Sequence, residues 1–238
     1  MRFTEQKIEA AEGNWEKLRR VDETLDALAA QRDEVIHHVP DYARSKLAWK
    51  VAVIRQCFTY RIVDLAEAAI AEWERDSPLA SIVLGRSLVE TVAVVQWFAF
   101  KLTKALAAGG LPEIDKLVTQ QTFGGKHEDW LIGEHKAVNV MTALDTWDRE
   151  VPGSRTFYEQ LSEMVHPNFL GTHGFYASLD TTNGVTTFSH NKLGRRHVIY
   201  RLSAALTSLL WAHLKLGEID KLGEQVADLQ DPPRHRGA

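Results

Sequence analysis

Hydrophobic residues recur at three- and four-residue steps along most of this chain, the period of one face of an α-helix. Residues 4–38 carry such a stripe between charged faces, so we expect one long amphipathic helix there, capped by Thr4. The stripe is as narrow as the apolar stripe of a coiled coil. We therefore expect this helix to pack either along its own bundle or against a partner or a second copy of the chain. It consists of Ile8, Ala11, Trp15, Leu18, Val21, Leu25, Leu28 and Val35.

Proline and glycine residues then separate a series of further predicted helices. His38-Val-Pro-Asp41 ends the first helix, because the residue before a proline is disfavoured in helical geometry. Pro78 in a first turn and Gly109-Gly110 after a last turn are typical helix boundaries. Ser154 is expected to cap the helix that ends near His166. The other helices are predicted over residues 42–75, 78–108, 111–123, 134–149, 195–216 and 218–229.

Only one part of the chain departs from the helical period. Two short β-prone runs near residues 175–188 flank Asn183-Gly184, a pair typical of a tight hairpin turn. We therefore predict an all-α fold, a bundle of long helices with a small β-hairpin inserted near residues 175–188. Residues 1–40 would form the N-terminal helix, 41–229 the bundle domain and 230–238 a flexible tail.

Composition agrees with an ordinary globular protein, at 45% hydrophobic and 25% charged residues. The single cysteine, Cys57, excludes an internal disulfide and suits a reducing compartment, and the N-terminus has no secretory pattern, so we expect a cytoplasmic protein. Residues 78–100 are apolar enough for a membrane span. Arg86, Glu90 and Gln96 inside this window instead favour a buried core helix and no membrane contact.

Charge is distributed unevenly along the chain. Residues 181–217 contain no acidic residue and have a net charge of +5. Since the net charge of the chain is −4, the remaining residues have a net charge of −9. Arg195 and Arg196 open a predicted helix, and Arg201 follows one turn later. Helix N-termini attract anions and guanidinium groups bind phosphate in a bidentate manner, so we expect either a phosphate site or a solvated helix end.

Two charged residues lie inside the most apolar predicted helix. Arg86 and Glu90 are four residues apart and therefore share one face of that helix. A charge in such surroundings has to be paired or hydrogen-bonded, because unpaired burial costs several kcal/mol. The two residues form either an ion pair that fixes helix packing or a guanidinium and a carboxylate aimed into a pocket.

A polar stripe is also predicted on the helix that ends at His166. Tyr158, Ser162 and His166 follow one another at four-residue steps, and Pro167 forces His166 towards an extended conformation. The helix dipole favours a protonated imidazole at this end, and histidine changes charge near neutral pH. His166 would thus either pair with Glu90 or simply cap the helix and hold the loop that follows. Facing the core beside the stripe we expect Phe157, Leu161 and Val165.

Metal binding has weaker support in the sequence. His166 and His173 are seven residues apart with Glu163 nearby, and His37 and His38 are adjacent, but neither arrangement has the spacing of a zinc site. We therefore predict no metal and no cofactor, and keep a metal-dependent hydrolase as a minor alternative.

Two motifs carry a resemblance to a known family. Gly85-Arg86-Ser87-Leu88-Val89-Glu90, followed by Tyr158-x-x-Leu161-Ser162-Glu163-x-x-His166-Pro167-Asn168-x-x-Gly171, resembles a family of uncharacterised bacterial helical proteins with an Arg-Ser-Leu-x-Glu helix and a Leu-Ser-x-x-x-His-Pro signature. The resemblance covers about residues 46–216.

The long-helix architecture is more loosely similar to the HEPN group (higher eukaryotes and prokaryotes nucleotide-binding). Many HEPN members are metal-independent ribonucleases, often dimeric, with four to six residues between an arginine and a histidine. Arg32 and His37 have this spacing, whereas no arginine precedes His166 at it.

These observations leave two functional hypotheses. The first is an HEPN-like protein that binds or cleaves RNA or a nucleotide at an Arg/Glu/His polar centre. The second is a non-catalytic interaction module that dimerises or docks a partner through helix 4–38. For the first, the candidate catalytic residues are His166, Glu90 and Arg86. Its candidate substrate- or anion-binding residues are Tyr158, Ser162, Asn168, Arg195, Arg196 and Arg201.

Overall fold

The computed structural model describes residues 1–39, 41–125, 135–190 and 193–231. Within them the chain is an all-α bundle with one small antiparallel hairpin, as predicted. The elements in order are α1 (Glu5–Ala10), α2 (Trp15–Ala29), α3 (Lys46–Glu74), α4 (Pro78–Ala107), α5 (Leu111–Phe123), α6 (Val140–Asp148), α7 (Ser154–Val165), a π-helical turn (Leu170–Gly174), β1 (Ala177–Asp180), β2 (Val185–Phe188) and α8 (Arg195–Gln230).

Helix α4 is the centre of the bundle and packs against α3, α5, α6, α7 and α8. Gly85 allows close contact with α8, since a β-carbon there would lie 3.3 Å from the β-carbon of Ala205. By length and composition α4 could also cross a membrane, and 56% of its most apolar window is buried inside the bundle. The prediction of a buried core helix is confirmed by this packing, and the absence of membrane contact stays a prediction.

The predicted single helix over residues 4–38 is instead two helices, α1 and α2. The chain turns at Glu12, which has a φ of 55°, and at Gly13, where a β-carbon would come within 2.8 Å of the Ile8 side chain. Thr4 does not cap α1 through its side chain, because its hydroxyl donates to Glu74 of α3. The three- and four-residue spacing of apolar residues continues across this break, so the spacing did not predict it.

The apolar stripe of this N-terminal region is covered by the chain itself. Helix α2 packs against α3 and α8, and most of the stripe from Ile8 to Leu28 is fully buried. Val35, which lies beyond the end of α2, is exposed instead. Dimerisation or docking through this segment stays a prediction, but the surface that suggested it already packs within the bundle.

Several other helix boundaries differ from the predicted ones. Helix α3 begins at Lys46 rather than at residue 42, since the Ser45 hydroxyl accepts a hydrogen bond from the backbone N–H of Ala48. Helix α8 continues through Gly217, where two helices were predicted. Helix α6 begins only at Val140 rather than at residue 134. Residues 126–134, up to the start of that predicted helix, and residues 232–238 of the predicted tail lie outside the described residues. The division into domains stays a prediction.

The hairpin lies where Asn183-Gly184 predicted it. Ala177 pairs with Phe188 and Asp180 with Val185, and Gly184 has the positive φ that a tight turn requires. Hydrogen bonds from the side chain and backbone of Asn183 lower the pKa of the Asp180 carboxyl group, which accepts them across the turn. Apart from Ala177, every strand residue is exposed.

Candidate functional site

Arg86, Glu90 and Tyr158 form a closed polar cluster between α4 and α7. The Arg86 guanidinium lies 3.1 Å from the Glu90 carboxylate and donates to the Tyr158 hydroxyl at 2.7 Å. That hydroxyl in turn donates to Glu90 at 2.9 Å, and the guanidinium also lies over the Tyr158 ring at 5.1 Å. The residue of α7 that contacts the α4 ion pair is thus Tyr158, and not His166 as predicted.

This cluster is partly shielded from solvent. The side chains of Arg86 and Glu90 are about one-quarter exposed, and Tyr158 is 6% exposed. The Tyr158 hydroxyl accepts one hydrogen bond and donates another, and the arginine charge is balanced by the carboxylate. The ion pair lies within α4, and the Tyr158 hydroxyl joins it to α7. Both alternatives for Arg86 and Glu90, helix packing and a binding pocket, stay predictions.

His166 takes the backbone conformation predicted for it but not the predicted partner. Helix α7 ends at Val165, and His166 is extended with φ −69° and ψ 144°, as expected before Pro167. Its side chain is exposed, and among the described residues no ion pair joins it to Glu90. The carboxylate–imidazole pair is absent because Tyr158, two turns earlier on α7, occupies the position beside Glu90.

Asn168 organises the turn that follows His166. Its side-chain oxygen accepts from the backbone N–H of Gly171 at 3.0 Å, and its amide donates to Glu163 at 2.7 Å. Gly171 is needed there because a β-carbon would overlap the carbonyl oxygen of His166 and lie 3.0 Å from that of Met164. The His-Pro-Asn-x-x-Gly part of the motif therefore specifies a tight backbone turn.

The remaining residues of α7 face differently from the prediction. Tyr158, Leu161 and Met164 are buried, whereas Phe157 and Val165 are only partly buried. The buried face is thus rotated towards the stripe that was predicted to be polar. The Ser162 hydroxyl is also buried there, with no hydrogen-bond partner among the described residues.

Helix α7 is capped from the preceding helix rather than by Ser154. The helix begins at Ser154, and Gly153 occupies the cap position with a φ of 95°. Asp148 accepts hydrogen bonds from the backbone N–H groups of Arg155 at 3.0 Å and Gly153 at 2.9 Å. These bonds, that from Arg155 first, lower the pKa of the Asp148 carboxyl group.

A second polar cluster, centred on Gln96, was not foreseen beyond its position in an apolar window. Gln96 is fully buried, donates to Glu150 at 2.6 Å and accepts from the Trp211 indole at 3.0 Å. Lys215 lies 3.2 Å from Glu150 and 2.8 Å from Glu218. Burial by itself lowers the pKa of Lys215, but the hydrogen bonds to the two glutamates outweigh it and raise that pKa. Sequence spacing gives no signal for this cluster, since its members come from three separate segments.

Two of the three predicted anion-binding arginines are engaged in ion pairs at the start of α8. Arg195 lies 2.9 Å from Asp76, and Arg196 lies 2.8 Å from Glu12. Arg201 donates to the backbone carbonyl of His197, while its Nε atom is buried without a partner among the described residues. Of these side chains only Arg195 and Arg196 are well exposed, and none is bonded to the Arg86–Glu90–Tyr158 cluster.

The same end of the molecule carries a set of exposed aromatic side chains. Phe188 (78% exposed), Phe169 (77%) and Tyr200 (73%) are the three most exposed large hydrophobic side chains of the described residues. Phe169 stacks on His173 with the ring planes 11° apart. We call Phe169, His173, Phe188, Arg195, Arg196 and Tyr200 the basic-aromatic end.

Contacts around the start of α4 place these segments together. Arg195 of α8 pairs with Asp76, directly before α4, and a small cavity between Asp76 and Ala80 is also lined by Tyr176 and His190. Tyr176 follows the π-helical turn, and its carbonyl accepts from the backbone N–H of Ser189, next to Phe188. The turn, the hairpin and the first turn of α8 thus converge on one end of the bundle.

Neither a metal-binding arrangement among the described residues nor a similar known protein gives further information about the function of this site. Among the described residues no group of three or more histidine, cysteine or acidic side chains is arranged to hold a metal ion. No protein-family model matches the sequence, and no match was found among curated proteins or solved structures. The resemblance to a bacterial helical family and to the HEPN group therefore stays a prediction.

Proposed function

We propose that this protein is a helical RNA-binding protein that holds single-stranded RNA at its basic-aromatic end. The observation that carries the proposal concerns the three most exposed large hydrophobic side chains of the described residues, which are all aromatic. Two of them, Phe188 and Tyr200, lie within the segment 181–217 that has no acidic residue. Proteins that bind single strands combine aromatic rings, on which bases stack, with positive charges along the backbone. Exposed rings of this kind are otherwise unfavourable in water.

The positive charges at this end are available to phosphate groups. Arg195 and Arg196 are paired with Asp76 and Glu12, but these pairs are exposed, and such pairs contribute about 0–1 kcal/mol. A phosphate group is negatively charged, like these carboxylates, and it can bind a guanidinium group through two hydrogen bonds. The polar centre at Arg86 and Glu90 supports the bundle in this proposal and makes no contact with RNA.

Binding of a labelled single-stranded RNA, followed by fluorescence anisotropy, tests the proposal. Phe169→Ala and Tyr200→Ala should each weaken binding by about fivefold or more, since stacking of one base contributes about 1–3 kcal/mol. Phe123→Ala is the matched control, because Phe123 is a partly exposed aromatic at the end of α5. Equal loss in the control, or no binding by the wild type, would contradict the proposal.

Salt dependence supplies a second criterion. If Arg195 and Arg196 each contact one phosphate, the logarithm of the binding constant should fall with the logarithm of the salt concentration with a slope of about −1.4. Arg196→Ala should then reduce the magnitude of that slope by about 0.7 without changing sequence preference.

The second candidate is the non-catalytic interaction module. It is favoured by the apolar residues Leu179 and Val185 on the exposed hairpin. It is also favoured by the Arg86–Glu90–Tyr158 cluster, in which guanidinium, carboxylate and hydroxyl bind one another. A protein partner would bind the same end through Phe188 and these residues. In that case Leu179→Ser would abolish association with the partner, and the complex purified with the wild type would contain no RNA.

A further inference from the structure

A cavity of about 570 Å³ opens between the α2–α3 connection, α3 and α8. It includes Asp220, some 25 residues along α8 from the basic-aromatic end, and its volume is in the range of small-molecule sites. A second cavity of about 270 Å³ continues along α3 and α8 to Glu224. Both cavities are lined by Asp41, Tyr42, Ala52, Arg55 and Asp220.

Among the described residues Arg55 is the only cationic side chain lining either cavity, and most of its N–H donors are engaged. It is 7% exposed and lies 3.0 Å from Asp220. Its other guanidinium nitrogens donate to the side-chain and backbone oxygens of Gln31 and to the hydroxyl of Thr59. Four of the five N–H donors of Arg55 are thus engaged, which leaves an anion at most one donor on this arginine.

The unpaired polar groups that the structure shows at the wall of the larger cavity are hydrogen-bond acceptors. Gln56 is 8% exposed, and its amide nitrogen donates to the backbone oxygen of Gln31 and to Asp33, both at the cavity wall. Its Oε1 atom is buried with no partner among the described residues. Asp33 accepts only from this neutral amide, and Asp41 makes no ion pair within 4 Å in the part of the chain that the structure describes.

Charge and lining both favour an organic cation. Three carboxylates and one guanidinium line the larger cavity, which leaves an excess of two negative charges. Burial first, and then the carboxylates of Asp220, Asp41 and Asp33, raise the pKa of Tyr42, which is the direction expected beside an excess of negative charge. Between the carboxylates the wall is formed by aliphatic side chains, Val35, Ile36 and Ala52.

We propose that this cavity binds a linear aliphatic diamine or polyamine. One ammonium group would be held by Asp33 and the free oxygen of Gln56, and another by Asp41. The methylene chain would lie on the aliphatic wall, and Tyr42 would contact it or an ammonium group through its ring face. A longer polyamine would extend into the second cavity towards Glu224.

Isothermal titration calorimetry of the 238-residue chain with 1,4-diaminobutane, spermidine, 1-aminobutane and magnesium chloride tests this proposal. The diamine and spermidine should bind, and the monoamine should bind at least about tenfold more weakly, because it can pair with only one of the two carboxylates. Asp33→Asn and Asp41→Asn should each weaken diamine binding about tenfold or more.

Two further variants separate a specific site from general attraction to an acidic protein. Ala52→Leu would fill the cavity without changing charge and should prevent binding. Glu9→Gln makes the same charge change on the exposed face of α1 and should leave binding unchanged. Diamine binding that Glu9→Gln weakens as much as Asp41→Asn, equal binding of 1-aminobutane, or no binding at millimolar concentration would overturn the proposal.

Discussion

The carbonyl oxygen of His166 lies so close to the α-carbon of Gly171 that a β-carbon at position 171 would overlap it. We therefore expect Gly171→Ala to displace the turn after α7 and to lower the free energy of unfolding by about 3 kcal/mol or more. Urea denaturation measures this.

Gly217→Ala is the matched control, because Gly217 lies inside α8 with no atom near its missing β-carbon. This substitution should stabilise the protein by about 0.5–1 kcal/mol. A Gly171→Ala variant as stable as the wild type would show that the turn does not need a glycine.

Tyr158 is expected to contribute to stability through its hydroxyl group. Tyr158→Phe removes the hydroxyl group that binds both Arg86 and Glu90 and should lower the free energy of unfolding by about 1–2 kcal/mol. In a double-mutant cycle with Glu90→Gln the two effects should be non-additive. Tyr60→Phe, at a 36% exposed tyrosine on α3, should change stability by less than about 0.5 kcal/mol.

His166→Ala should leave the stability nearly unchanged, within about 0.5 kcal/mol of the wild type. The side chain is exposed and makes no ion pair with Glu90 in the described chain. Thermal unfolding followed by circular dichroism measures this. A loss comparable to that of Tyr158→Phe would instead assign His166 to the polar cluster.

Asp148 should make stability depend on pH in the acid range. Its pKa is lowered in the folded state by hydrogen bonds from the backbone of Arg155 and then of Gly153, so its contribution is present above the ordinary aspartate pKa. That contribution is lost as the pH falls through the lowered pKa. Asp148→Asn should thus be less stable than the wild type at pH 7, and the difference should narrow below about pH 4. A difference that stays constant down to pH 2 would contradict this account.

Periodicity and turn residues were sufficient to predict the class of fold. Asn183-Gly184 located the hairpin, and Pro78 and Gly109-Gly110 bounded the central helix. The break at Glu12 was not predicted, because the apolar spacing continues through it. The helix boundary predicted near Gly217 is wrong, because tertiary packing holds one helix across this glycine.

The candidate site was predicted only in part. Spacing on one helix was enough to pair Arg86 with Glu90, since four residues bring two side chains to one face. It could not show that Tyr158 rather than His166 would reach them, because that depends on the rotation of α7 about its own axis. The exposure of Phe169, Phe188 and Tyr200 likewise depends on which neighbours the fold places over them.

Photocrosslinking of a single-stranded RNA to the protein, with the crosslinked residues identified by mass spectrometry, tests the proposed function most directly. Binding at the basic-aromatic end predicts crosslinks at Phe169, Phe188 and Tyr200, and their loss when unlabelled single-stranded RNA competes. Crosslinks confined to other surfaces, or none at protein concentrations that saturate binding, would contradict it.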